Sequence, residues 1–180
     1  MDFNFKKTAC ADAMMNNEFI YISTFSGYSM FQKDPKGKEH YVNTDVCDVT
    51  LGNLVLDALI HSRFVLPNPD HREGVWVHPD VTYDPDLDDY SQAADRYECW
   101  VIKVMKTYGY KTRRAMFKKM KNCSISLSDG VIKIEPSRHQ KLEEWGRRIS
   151  DGIEEVIIPG GSTPEEIGTA LRLAFSRCIG

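Results

Sequence analysis

Apolar positions fall at helical spacing in several stretches of the chain, most clearly in its last eighteen residues. Ile167, Ala170, Leu171, Ala174 and Cys178 share one face. Thr163 stands as N-cap, Pro164 fits the first helical position, and Glu166 completes a Thr-x-x-Glu capping box. A second apolar stripe, Leu51, Leu54, Val55, Ala58 and Leu59, predicts a helix capped by Thr50 and ending near Arg63, with Pro67 and Pro69 barring continuation. Ala94, Tyr97, Val101, Val104 and Met105 predict a helix from Ser91 to about Lys106. Gly109 ends it, and Thr112 starts a shorter helix to about Lys121, making a helical hairpin. Leu142 and Trp145 place one more helix over His139 to Arg148.

The intervening segments change period. Phe19–Phe25 and Tyr28–Phe31 are aromatic and β-branched runs broken at Ser26-Gly27, which predicts two strands of a hairpin. Asp34-Pro-Lys-Gly37 is a turn, after which Tyr41 to Val49 returns to the sheet. Val75-Trp-Val77 reads as a short strand, and Pro79 to Tyr90 as a solvated loop rich in Asp and Pro. Ile125–Leu127 and Val131–Ile134 flank Ser128-Asp129-Gly130, a tight-turn signal, and Val156–Ile158 is a last strand. Strand hairpins mixed irregularly with helices predict an α+β fold, a mainly antiparallel twisted sheet decorated by several helices. Residues 1–180 are expected to form a single domain. A faint echo links Leu51-Gly…Ala58-Leu59…Ser62-Arg63 with Ile167-Gly…Ala174-Phe175-Ser176-Arg177, and two similar docking helices explain it as well as a duplication does.

Composition adds mainly exclusions. A 42% hydrophobic and 27% charged content is that of an ordinary globular protein, and a net charge of −3 favours neither polyanions nor polycations. No apolar run reaches membrane-spanning length, and the first residues lack the plan of a signal peptide, so a cytoplasmic protein is expected. Cys10, Cys47, Cys99, Cys123 and Cys178 are scattered and odd in number, which argues against a disulfide framework or a zinc knuckle. Each is expected to serve as a small buried hydrophobe.

Candidate chemistry is thin. His71 and His78 lie near Asp70, Glu73 and Asp80, but no spacing matches a metal-ligand pattern. No nucleophile elbow, Walker loop or dinucleotide fingerprint occurs. Pro159-Gly-Gly-Ser162 is a weak anion-site signal that a turn feeding the N-cap explains equally. His139 with Glu143 and Glu144 makes no defensible acid/base pair. No enzyme activity, cofactor or metal is expected.

Charge placement says more. Asp80, Asp84, Asp86, Asp88, Asp89, Asp95 and Glu98 crowd one neighbourhood, interleaved with Tyr83, Tyr90 and Tyr97. Lys103, Lys106, Lys111, Arg113, Arg114, Lys118, Lys119 and Lys121 then run without an acid until Asp129. A solvated surface accounts for either group. As functional surfaces, the acidic loop suits a cationic protein and the basic hairpin suits phosphates, which would make the chain a nucleic-acid-binding regulator.

Three segments resemble one family. Pro164-Glu-Glu-Ile-Gly-x-Ala-Leu-Arg-Leu-Ala-Phe-Ser-Arg-Cys178 looks like the closing motif of a class of CdiI proteins, the immunity partners in bacterial contact-dependent growth inhibition. The helix from Leu51-Gly to Ser62-Arg63 is similar to that family's earlier motif, and Tyr108–Met120 with His139–Trp145 resembles its middle. The resemblance implies a non-enzymatic cytoplasmic monomer that neutralises the C-terminal toxin domain of its cognate CdiA in a 1:1 complex, without touching nucleic acid itself. Some toxins of this class are metal-dependent DNases, and binding can proceed by β-augmentation. The shared motifs are helix stripes and caps, so toxin contacts must come from the charge argument. It nominates Tyr83, Asp84, Asp86, Asp88, Asp89 and Tyr90.

Overall fold

The computed structural model describes residues 6–68, 74, 76–87 and 90–180, with Tyr90 described in its backbone only. In chain order the elements are β1 (Ala9–Met15), β2 (Ile20–Gly27), β3 (Phe31–Lys33), β4 (Glu39–Val42), α1 (Asp48–Ile60), β5 (Val65–Leu66), β6 (Thr82–Tyr83), α2 (Tyr90–Tyr108), α3 (Arg113–Phe117), β7 (Lys121–Ser128), β8 (Val131–Pro136), β9 (Arg138–Lys141), β10 (Glu144–Gly146), β11 (Val156–Pro159) and α4 (Pro164–Arg177). Seven strands form one antiparallel sheet in the order β11-β8-β7-β1-β2-β3, with β4 also beside β2. This is the expected α+β architecture.

Strand alternation sorts the side chains onto two faces. Ala11, Ala13, Ile20, Ile22, Cys123, Ile125, Ile132 and Ile134 point to the face covered by α1 and α4, where they meet Leu51, Val55, Leu59, Ile167, Leu171 and Phe175. The echo between the two helices has a geometric cause. A Cβ on Gly52 would stand 1.8 Å from the Pro164 carbonyl oxygen, and one on Gly168 2.1 Å from that of Asp48. Each helix thus uses its glycine to admit the first turn of the other. Thr169 Oγ1 donates to Asp48 (2.7 Å) and Arg172 Nε to the same carboxylate (2.6 Å), pinning the crossing. The predicted capping box is present: Thr163 Oγ1 accepts from Glu166 N at 3.3 Å, and Thr163 N donates to Glu166 Oε2 at 2.7 Å. α1 begins earlier than predicted, with Cys47 rather than Thr50 at the N-cap.

The opposite face is only half covered. Trp100, Val101 and Val104 of α2, with Met116 and Phe117 of α3 and Met120, pack on Phe19 and Tyr21 at one end of the strands. Thr112 caps α3 as expected, its side chain accepting from Ala115 N at 3.1 Å, but the helix stops at Phe117 and β7 starts at Lys121.

Other expectations are corrected. Residues 139–148 form no helix; β9 and β10 pair as a hairpin instead. Long-range bonds override the local pattern there, since His139 N donates to Ile179 O (2.8 Å) and Trp145 Nε1 to Met120 O (2.9 Å). β1, inner strand between β2 and β7, gave no strand signal because its sequence is Ala-Cys-Ala-Asp-Ala-Met-Met, free of β-branched residues. Trp76 and Val77 lie outside any strand, and Val75 lies outside the described residues. The return to the sheet is confined to β4, and the loop after Pro79 contains β6, which pairs in parallel with β5. Cys10 and Cys123 are buried, whereas Cys47 and Cys99 are exposed, against the expectation for all five.

Candidate functional site

Where α2 overhangs the half-covered face, a cleft of about 1150 Å³ opens between the sheet, the N-terminal half of α2 and the β9–β10 hairpin. Asp12 and Asn122 lie on its floor, Tyr97 and Trp100 of α2 and Trp145 of β10 on its walls, and Lys33 and Glu39 at the β3–β4 side. Asp12 occupies the register position opposite Ser23 and Ser124, so polar residues line the strands where no helix covers them. Its carboxylate accepts from Asn122 Nδ2 at 2.9 and 2.8 Å and is otherwise enclosed. Burial, only partly opposed by Asn122 and the Lys33 charge, pushes the Asp12 carboxyl up to about 7.

The walls are held by charge-assisted bonds. Lys33 pairs with Glu39, which also accepts from Tyr21 Oη at 2.9 Å, and Lys33 Nζ lies 5.3 Å from the Tyr21 ring centroid. Lys33 holds the Glu39 carboxyl below its ordinary value against the effect of burial. Glu143 joins the hairpin to the helices, accepting from Tyr97 Oη at 2.7 Å and from Arg113 Nη1 at 3.0 Å.

The edge beside the cleft is one strand in two pieces. β3 and β4 both pair with β2, and residues 34–38 bulge out opposite Thr24. Thr24 spans the gap: its N–H donates to Lys38 O at 2.9 Å, its carbonyl accepts from Asp34 N at 2.9 Å, and its hydroxyl donates to Ala58 O at 2.9 Å. Pro35, Gly37 and Lys38 face the cleft, while Lys36 reaches away to the acidic loop. The bulge therefore makes loop and cleft one continuous surface.

Arg63 fastens that loop. Its Nε donates to Asp34 at 2.6 Å and its Nη1 to Asp84 at 2.7 Å, and Lys36 Nζ lies 2.7 Å from Asp84 and 3.1 Å from Asp86. These partners depress the Asp34 carboxyl and bring that of Asp84 down to about 2. Ser62 stitches the same region, donating to Phe25 O at 2.6 Å and accepting from Cys10 N at 2.9 Å.

The nominated contact residues thus separate. Asp84 is only 6% exposed and bound internally, so it positions the loop instead of presenting charge. Tyr83 and Asp86 are exposed. Asp88 and Asp89 lie outside the described residues, as does the side chain of Tyr90. In the basic segment Arg113 is engaged by Glu98 and Glu143, and Lys103 Nζ sits 5.0 Å from the Tyr41 ring centroid. That breaks the continuity of the phosphate-tracking surface. Of the dismissed metal cluster, His78 lies 4.0 Å from Asp80, and Asp70, His71 and Glu73 fall outside the described residues. Sequence reasoning missed Asp12, Lys33, Glu39 and the anchoring role of Glu143. The one signal for Asp12 was a lone acid between Ala11 and Ala13 in an otherwise uncharged run.

A sheet sealed on one face, open on the other in a mixed-charge cleft, and ending in a bulged edge strand offers another chain both a cleft and a strand edge to dock on. The family of CDI immunity proteins, CdiI, matches residues 9–178, and the chain belongs to it. It is 51% identical over 174 residues to the immunity protein CdiI-YPIII of Yersinia pseudotuberculosis serotype O:3 (strain YPIII), covering 97% of each chain. It is also similar to a chain of the CdiA-CT/CdiI toxin and immunity complex from Yersinia pseudotuberculosis, with 50% identity, a TM-score of 0.90 and coverage of 96% of this chain and 98% of that one. A protein of unknown function from Neisseria meningitidis matches at 39% identity and a TM-score of 0.81 over 99% of both chains. No helix among the described residues is long and apolar enough to cross a membrane.

Proposed function

We propose that this chain is an immunity protein that binds the C-terminal toxin domain of a cognate CdiA in a 1:1 complex and blocks it without catalysis of its own. The observation that carries this reading is the likeness to a relative solved as a CdiA-CT/CdiI toxin and immunity complex, which extends over 96% of this chain. Two features of the surface support it. Among the described residues β3 and β4 pair with β2 on one side only, so their outer edge offers main-chain groups to an added strand, the requirement of β-augmentation. Beside that edge, Tyr83 and Asp86 stand exposed, with Asp88 and Asp89 next in sequence. In this reading the toxin is a metal-dependent DNase whose phosphate-binding groove is basic, and the acidic loop covers it.

The test uses the purified toxin domain. Its divalent-cation-dependent cleavage of plasmid DNA should stop at one equivalent of this protein, and cleavage of RNA alone would remove the DNase assignment. Reversing Asp86, Asp88 and Asp89 to lysine should slow association roughly tenfold or more at low salt and flatten its salt dependence. Wild-type association and salt dependence in that triple variant would dismiss the loop as a contact.

A further inference from the structure

We infer that Asp12 is the counter-charge for a basic side chain, Lys or Arg, that the bound toxin lowers into the cleft. The inference rests on the immunity reading and adds to it one residue that decides which partner is accepted. A carboxylate can accept about four hydrogen bonds. Among the described residues Asp12 receives hydrogen bonds from a single donor, Asn122 Nδ2, although it is only 7% exposed. Elsewhere in the protein the buried acids Asp34 and Asp84 are each clasped by Arg63, Asp34 also by Ser26 and Asp84 also by Lys36. Asp12 and Asp34 both line a cleft wide enough to admit a side chain from outside, but the Asp34 carboxylate is taken up by Arg63 and Ser26, which leaves Asp12 as the one with acceptor capacity to spare.

The surroundings suit a cation on an apolar stem. Tyr97, Trp100 and Trp145 provide aromatic surface along the way in, on which methylenes or a guanidinium pack. Lys33, the charge that influences Asp12 in the free protein, is already paired with Glu39 over the Tyr21 ring. Besides burial, the groups that act on Asp12 are therefore Asn122 of β7 and Lys33 of β3. Burial leaves the carboxyl protonated in a large fraction of molecules near neutrality. A seated cation favours the ionised form, so binding should release part of a proton. A nuclease domain carries basic residues where it holds phosphate, and one of them drawn onto Asp12 is withdrawn from that task.

The experiment measures binding of the purified toxin domain to the wild type and to Asp12→Asn, by calorimetry at pH 7 in two buffers of different ionisation enthalpy. Asp12→Asn should bind roughly thirtyfold or more weakly, because it leaves the incoming charge buried without a counter-ion. The wild type should show a buffer-dependent heat that the variant lacks. Urea unfolding of the free proteins at pH 7 should show Asp12→Asn at least as stable as the wild type, since it removes a buried ionisable group. Weaker binding together with undiminished stability is an outcome a purely structural role does not give. Equal affinity of the two proteins overturns the assignment while leaving the immunity reading intact. Failure of the wild type to bind the toxin domain overturns both. Should Asp12→Asn not fold, the wild-type heats decide: no buffer dependence overturns the assignment.

Discussion

Gly168→Ala should destabilise the protein even though it improves the helix. Alanine is favoured over glycine by about 1 kcal/mol in a helix interior, so local propensity predicts a gain. The crossing of α1 and α4 predicts the opposite. The new Cβ would lie 2.1 Å from the Asp48 carbonyl oxygen, 2.7 Å from its carbon and 2.8 Å from its Cα. These are backbone atoms in the first turn of α1, so no side chain can rotate away. Relief requires the helices to part by about 1.4 Å, to the ordinary contact range of ~3.5 Å. That movement loosens Leu51, Val55, Ile167 and Leu171, all fully buried between the helices and the sheet. Overpacking costs about 1–3 kcal/mol, and a clash with backbone that cannot rotate away belongs in the upper part of that range, about 2–3 kcal/mol, against a propensity gain of ~1 kcal/mol. The expected net loss is about 1–2 kcal/mol, or a fall in Tm of roughly 2–8 °C for a chain of this size. Urea unfolding at 25 °C reads it as a lower midpoint with an unchanged slope. A variant as stable as the wild type, or more so, would refute the claim that glycine is there for close approach. Gly52→Ala, with a Cβ 1.8 Å from Pro164 O, provides an independent copy of the test at the reciprocal contact.

Two further substitutions probe the loop anchor and the helix start. Arg63→Met removes the partner of Asp34, whose side chain is fully buried, and should cost about 3 kcal/mol at neutral pH. Because the Asp34 and Asp84 carboxyls are depressed in the folded protein, the stability they confer is complete above their unfolded value of ~4 and is lost as pH falls through their lowered folded values, about 2 for Asp84. The wild-type and Arg63→Met unfolding midpoints should therefore converge on acidification from pH 5 to pH 2, and a constant gap would contradict the ion-pair account. Thr163→Ala breaks the capping box and should cost about 1 kcal/mol by urea unfolding, while a loss below the error of the method would show that the α4 start is held by packing alone.

Much of the architecture was legible because helices announce themselves locally. The stripe, cap, proline and glutamate of α4 are adjacent in the chain, and so are the turn and flanking strands of β7 and β8. β1 was not legible, since alanine and methionine carry no strand preference and the strand exists through its two neighbours. Residues 139–148 were misread for a related reason: Leu142 and Trp145 suit a helix, but bonds from Ile179 and Met120, distant in sequence, commit them to a hairpin. The acidic loop was visible as composition, but which of its acids face solvent was not. Asp84 and Asp86 look alike in the sequence, and only the approach of Arg63 separates them.

By itself, then, the sequence determined the helices, their caps, the α+β class and the likeness to CDI immunity proteins, all carried by short-range spacing that survives without coordinates. The tertiary structure decided how those parts make a surface. It left half of one sheet face without a helix, turned Asp12 into a buried carboxylate at the floor of a cleft, and used a bulge opposite Thr24 to join that cleft to the acidic loop. These depend on contacts between residues far apart in the chain, whose burial and electrostatic environment no local pattern encodes.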